Sequence, residues 1–216
     1  MAREGESLRE LLGGWQPAVE TAVPVVAFAA GWLAGGRSIP LGAGVAVLGG
    51  AGVAAWRIAA GRRPIGTVFS LLVVCVGALV ALRTGRAEDF FAVRVLTNAA
   101  SALAWAASIL VRWPLLGVVV GTVLGQRRRW RADPDLLRAY QRASWVWVLQ
   151  YVARLLVFVP LWWAGKVLWL AAAQTVLTWP LVAACLALSW WVLRRALPAD
   201  HPGLRHPRAL QAAESH

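Results

Sequence analysis

The sequence has 216 residues, of which 59% are hydrophobic and 15% charged, with a formal net charge of +12. The apolar residues are gathered into long blocks, which is typical of a polytopic membrane protein and excludes an ordinary soluble domain. The basic residues lie in short loops between these blocks without a stacking or zinc motif, so orientation in an anionic membrane explains the charge better than nucleic-acid binding.

The first half of the chain predicts a surface segment and three membrane spans. Residues 1–16 are polar with leucines at helical spacing, which indicates an amphipathic segment on the cytoplasmic surface. No signal-peptide cleavage site follows it, so the first apolar block should remain in the mature protein. The spans lie at about 17–34, 41–60 and 65–82. In the second span, small residues recur at every fourth position, which predicts close approach of another helix.

The second half predicts three more spans, at about 91–111, 143–164 and 167–193, and one shorter apolar run at 114–125. At 1.5 Å per residue the short run is about 18 Å long, against a hydrocarbon core of about 30 Å. It also carries glycines four residues apart, a face that another part of the protein could cover. Tryptophans near the block ends, Trp130 among them, are expected at headgroup level. The polar stretch 196–216 is predicted to be a disordered cytoplasmic tail.

Whether the short run crosses the bilayer decides the topology. If it crosses, seven crossings divide the basic residues other than Arg154 14 to 7; if it does not, six crossings divide them 16 to 5. The positive-inside rule favours the larger asymmetry. The sequence therefore predicts an all-α polytopic membrane helix bundle over 17–195. It would have six transmembrane helices, one short re-entrant or interfacial helix, and both termini in the cytoplasm.

A polar layer inside the spans is the candidate functional site. Asn98, Arg154 and Gln174 fall about 11 to 15 Å from the outer ends of their helices at 1.5 Å per residue. Because an arginine at that depth costs at least ~2.5 kcal/mol, Arg154 should face the bundle interior. Arg94 would lie toward the outer opening, and Gln150 is one turn from Arg154. The layer is either a basic pocket for an anionic substrate or lipid headgroup, or a structural pin that satisfies Arg154.

The remaining reactive residues have plainer interpretations. Glu88 and Asp89 form either a cation site or a surface ion network with nearby arginines, and the network is favoured. Cys75 and Cys185 are isolated inside apolar blocks, so no disulfide is expected. The three histidines lie in the tail, so no metal site is expected. A basic cluster after the short run is either an anionic-lipid contact or a determinant of topology alone. Its members are Arg127, Arg128, Arg129 and Arg131.

The functional prediction follows from what the spans contain. They offer no carboxylate at the depth of Arg154, and the sequence has no nucleotide fingerprint or nucleophile elbow, so we expect no catalytic residue and no cofactor. The first hypothesis is a non-enzymatic, envelope-associated scaffold or interaction protein of the inner membrane. Its partners would be the lipid bilayer, anionic lipids, other membrane proteins or a second copy of the chain. The alternative is a small transporter or a protein that binds lipids or small molecules in a pocket around Arg154.

Several stretches carry a family resemblance. They are LLGGWQPAVETAVPVVAF, LRTGRAEDFFAVRVLTNAA, RWPLLGVVVG, WRADPDLLRAYQRASWVW and VPLWWAGKVLWLAAAQTVLTWPL. In this order and spacing they resemble the bacterial membrane family called domain of unknown function 3159, over about residues 9–195. The RWPL sequence, the basic loop after it and the Trp-rich fifth span are more distantly similar to intracellular septation protein A. That resemblance implies an inner-membrane protein linked to envelope synthesis and division, and neither resemblance names a reaction.

Overall fold

The computed structural model describes residues 16–61, 64–126, 129–198 and 201–203, with the backbone alone at 16–20 and 64. Over these residues the chain has seven α-helices, two short 3-10 helices and no strand. Such a fold suits a lipid environment, because a helix satisfies its backbone hydrogen bonds within one segment. The α-helices are α1 (Gln16–Ala34), α2 (Ile39–Ala59), α3 (Pro64–Thr84), α4 (Ala92–Leu110), α5 (Leu115–Val123), α6 (Pro134–Trp163) and α7 (Val167–Ala196), and the 3-10 helices are Ala87–Phe91 and Arg129–Ala132.

Five of the described helices are long and apolar enough to cross a membrane: α2, α3, α4 with the 3-10 helix before it, α6 and α7. The apolar part of α1, Thr21–Ala34, is shorter. Large apolar side chains are exposed along these helices, including Leu48 at 74%, Leu103 at 72% and Leu149 at 64%. Exposed apolar surface on this scale needs a cover, and lipid provides one. These are the features of a multi-pass membrane protein.

The helices form two compact units. Among the described residues, the first includes those up to Leu96 together with Leu156–Trp179, and the second includes those between Thr97 and Leu155 and those from Pro180 onward. The core of the first unit is aromatic: the fully buried Phe28 ring stacks on Phe90 at 4.0 Å between centroids, with Phe91 edge-on at 6.1 Å from Phe28. In this unit α1 packs on α2, α2 on α3, and α3 on the 3-10 helix that carries these phenylalanines.

Small residues set the helix spacing in the first unit, as the sequence predicted. Gly42, Ala46 and Gly50 are buried on α2. A Cβ added at Gly42 would lie 3.0 Å from the carbonyl oxygen of Phe28 on α1, and one at Gly50 would lie 3.3 Å from Leu71 on α3. The small-residue face of α2 therefore lets both neighbouring helices approach closely.

The core of the second unit is built around Trp130, which is 1% exposed. Its ring meets Tyr140 edge-on at 5.5 Å, and a Cβ added at Gly117 would lie 2.8 Å from its Cζ3 atom. Gly117 and Gly121 are buried on α5, whereas Gly125 is exposed with a φ of +68° where the helix ends. The glycine face of α5 is thus a seat for an indole ring. Trp130, which was expected at the headgroup level, lies inside the protein, because the bare backbone of α5 accommodates its ring; its depth in the membrane stays a prediction.

The short helix α5 has nine residues, about 14 Å at 1.5 Å per residue. The chain segments before and after it meet again. The Arg131 guanidinium lies 3.9 Å from the centroid of the Trp113 ring, and the side-chain amide of Gln141 donates to the carbonyl oxygen of Ile109 at 3.3 Å. The C-terminal end of α4 and the N-terminal end of α6 therefore lie at the same end of the second unit.

The span predicted at 143–164 lies within a longer helix, since α6 runs unbroken from Pro134 to Trp163. Asp133 caps this helix: its Oδ1 accepts from the backbone N–H groups of Asp135 and Leu136. Part of the stretch predicted to be a disordered tail is ordered, as described below for residues 201–203. The predicted surface segment at 1–15 lies outside the described residues.

Candidate functional site: buried polar groups of the membrane helices

Two residues of the predicted polar layer meet in the first unit. With the Gln174 amide oriented so that its oxygen faces Arg94, Oε1 accepts hydrogen bonds from Nε and Nη2 of Arg94, each at 3.3 Å. Arg94 lies in the first turn of α4 and Gln174 on α7. A fork of guanidinium donors on one amide oxygen fixes the relative position of these two helix segments. This is the behaviour of a structural pin.

The other three residues of the layer lie in the second unit, and all are buried. Asn98 is 3% exposed, Gln150 4% and Arg154 7%. The Arg154 guanidinium is 6.0 Å from the centroid of the Tyr151 ring. In the part of the chain that the structure describes, the Oε1 atom of Gln150 is buried without a hydrogen-bond partner. Burial of Arg154 agrees with the expectation that a charge on a membrane helix faces protein. A single pocket of all five residues stays a prediction.

The adjacent acids Glu88 and Asp89 behave differently from each other. Glu88 accepts from Nε of the exposed Arg86 at 2.8 Å, and this hydrogen bond raises the pKa of Arg86 further above its usual value. Asp89 is 6% exposed and accepts from the indole N–H of Trp162 at 2.9 Å. The surface-network prediction therefore describes Glu88, whereas Asp89 is an interior anchor for the end of α6.

A buried Asp–His pair is the polar feature that the sequence did not reveal. Asp133 Oδ2 lies 2.9 Å from His201 Nε2, and both side chains are fully buried. The backbone N–H of Gly203 donates to His201 Nδ1 at 3.0 Å. Because Nδ1 accepts, we assign the hydrogen to Nε2, which donates to Asp133. His201 was expected in a mobile tail. The available signal was the Pro-Gly sequence after it, which lets the chain turn back onto the ring with Gly203 at a φ of +97°.

Cysteine and metal chemistry have little support in the described part of the chain. Cys75 and Cys185 are free thiols, and Cys185 is buried with its Sγ 3.9 Å from the carbonyl oxygen of Val146. Among the described residues, no three His, Cys, Asp or Glu side chains are grouped so that they could hold a metal ion.

The basic cluster is described in part. Arg127 and Arg128 lie outside the described residues. Arg129 and Arg131 are exposed, and Arg131 stacks over Trp113. Contact of this cluster with anionic lipid stays a prediction.

Comparison with known proteins gives one match. The family model described as protein of unknown function (DUF3159) matches residues 12–200. The chain belongs to this family. No curated protein and no solved structure matched the chain. The match reaches across both units and agrees with the resemblance carried by the five sequence stretches, while the DUF3159 description assigns no activity. Similarity to septation protein A stays a prediction.

Proposed function

We propose that this DUF3159 protein crosses the inner membrane six times, through α1 to α4, α6 and α7, with both termini in the cytoplasm. The nine-residue length of α5 supports this, because a helix of about 14 Å falls well short of a core of about 30 Å. Contact of Arg131 with Trp113 supports it too, because it brings the two flanks of α5 together. The 16 to 5 division of basic residues gives the orientation.

Within this topology the protein acts without catalysis, as an envelope-associated scaffold or interaction protein. The observation that carries this proposal is the pairing of Arg94 with Gln174, which uses the outer arginine of the predicted layer to hold helices. Other buried polar groups are used in the same way: Asp89 receives the Trp162 indole, and the Trp147 indole donates to Ser189 at 3.1 Å. Hydrogen bonds of this kind hold the helices of each unit in fixed positions and leave the exposed, lipid-facing surface available to partners.

Site-specific photo-crosslinking in living cells tests the scaffold proposal. A photoreactive amino acid placed at the exposed positions Leu48, Leu103, Leu149 and Trp169 samples four helices, and the fully buried Phe28 is the control. We expect discrete protein adducts at one or two neighbouring exposed positions and none at Phe28. Adducts to lipid alone at every exposed position would overturn the proposal.

A second candidate function, binding of a lipid or small molecule, is supported by one observation. The Oε1 atom of Gln150 is buried without a hydrogen-bond partner among the described residues, one helical turn from the buried Arg154. A buried acceptor left unmatched costs about 1–3 kcal/mol, so a bound donor would be stabilising there. An anionic amphiphile with a hydroxyl group would serve both side chains.

Substitution of Arg154 separates a pocket from a pin. Arg154→Leu and Gln150→Leu are compared with Arg94→Leu, which removes a residue already paired with Gln174. The measurements are folded yield in neutral detergent and the Tm shift on adding a monoacylglycerol phosphate, an anionic amphiphile with a free hydroxyl. If the two residues line a pocket, the Arg154 and Gln150 variants should have a normal folded yield and no Tm shift on adding the amphiphile. Loss of folding in Arg154→Leu, with the shift retained in Gln150→Leu, would reject the pocket.

A further inference from the structure

We propose that the surface formed by Arg112, Trp113 and Arg131 beside α5 binds the phosphate headgroup of an anionic phospholipid. Arg131 and Trp113 form a stacked pair, with the guanidinium carbon 3.9 Å from the ring centroid. Stacking holds the planar guanidinium in one orientation and leaves its N–H edge available to an anion. Arg112 immediately precedes Trp113 in the sequence and is also exposed, so the chain brings a second arginine side chain to this surface.

The backbone at Arg112 supports a role for its side chain. At the end of α4 the N–H of Trp113 donates to the carbonyl oxygen of Ser108, and the N–H of Arg112 donates to that of Ile109. This is the helix ending in which glycine is usual, because the residue after the cap takes a positive φ. Arg112 has a φ of +52°. A glycine would adopt this backbone conformation at a lower energetic cost than an arginine. The presence of an arginine here therefore points to a use for its side chain.

The acids near this surface already have partners within the protein. Asp133 is buried against His201 and caps α6, and Asp135 accepts from Arg138 at 3.2 Å. These are the only acids in the sequence between residues 90 and 199. Within the described part of the segment, the net charge around the exposed guanidinium groups of Arg112 and Arg131 is therefore positive. An external anion complements it.

The surroundings of the pair favour a lipid over a soluble anion. Large apolar side chains are exposed in the adjoining segments, at the end of α4, directly after it and on α5: Leu110 is 80% exposed, Val111 68%, Val119 54% and Val123 80%. A free phosphate ion makes no use of such side chains, whereas the acyl chains of a phospholipid cover them. The headgroup would receive bidentate hydrogen bonds from the guanidinium groups, at the depth where tryptophan is stable. A lipid with net negative charge is favoured over a zwitterionic one.

Thermal unfolding of the full chain in neutral detergent tests the proposal. Dioleoyl phosphatidylglycerol, dioleoyl phosphatidylcholine and inorganic phosphate are added separately to the wild type, to Arg112→Gln/Arg131→Gln, and to the control Arg138→Gln. The control also removes one exposed positive charge, but from a side chain that pairs with Asp135. We expect phosphatidylglycerol to raise the Tm of the wild type and the control by similar amounts, and the Tm of the double variant by less than half as much. Phosphatidylcholine and inorganic phosphate should have little effect.

Three outcomes would overturn the proposal: an equal shift in the double variant, an equal loss in the control, or an equal effect of inorganic phosphate. If the double variant does not fold, Trp113→Leu and Arg131→Lys carry the test. Arg131→Lys keeps the charge and loses the planar fork, so it should retain part of the shift and release phosphatidylglycerol at lower collision energy in native mass spectrometry. Wild-type behaviour of both single variants would reject the site.

Discussion

Gly77 gives the sharpest test of packing in the first unit. A Cβ at this position would lie 2.7 Å from the carbonyl oxygen of Phe90, a backbone atom that cannot move alone. Gly77→Ala should destabilise the protein by about 1–3 kcal/mol, measured by thermal unfolding in detergent. Gly66→Ala on the same helix is the matched control, since nothing lies within 4 Å of an added Cβ there. Equal Tm values for the two variants would contradict the close approach of α3 to the 3-10 helix.

The Asp133–His201 pair should be energetically coupled. Asp133→Ala removes a cap worth about 1 kcal/mol and leaves a buried imidazole donor unmatched at about 1–3 kcal/mol. His201→Ala leaves the cap in place. A double-mutant cycle in thermal unfolding should therefore show a double variant less destabilised than the sum of the single variants. Asp135→Asn, which loses an ion pair with the exposed Arg138, is the control and should have a small effect. Strict additivity would argue against the buried contact.

At the scale of elements, length and composition predicted most helices, because a span must be apolar over a fixed distance. The span predicted at 143–164 is the apolar part of α6, whose first two turns are polar and extend the helix beyond the apolar region. The short run was predicted to be too short for a span. It forms a helix of nine residues, and its glycine face does receive a covering group. The covering group is Trp130, which reaches α5 because the chain turns back after the helix. Such a turn leaves no periodic pattern in the sequence.

Cysteine labelling tests whether α5 returns to the side from which it starts. In a background without Cys75 and Cys185, Arg112→Cys and Arg129→Cys flank the helix. A membrane-impermeant maleimide should label both in inside-out vesicles and neither in intact cells. Arg37→Cys, in the loop after α1, is the control and should react in intact cells. Labelling of the two flanking positions from opposite sides would show that the segment crosses the bilayer.

At the scale of the whole molecule, the family match and the five membrane-length helices agree with the sequence-based class. The candidate site was harder to predict. Depth along a helix follows from residue number, and polar groups deep in a membrane should face protein. The burial of Asn98, Gln150 and Arg154 could therefore be predicted from the sequence. Which polar group meets which partner depends on helix rotation and tilt, and Arg94 with Gln174 is the pair that the structure supplies.

The central claim is an even number of crossings, and reporters fused to the two termini test it most directly. A fluorescent protein that matures only in the cytoplasm and an alkaline phosphatase active only outside it are fused, in separate strains, to the N-terminus and to the C-terminus. The account predicts fluorescence without phosphatase activity at both ends. Fluorescence at one end and phosphatase activity at the other would contradict it, and would remove the basis for placing the flanks of α5 in one leaflet.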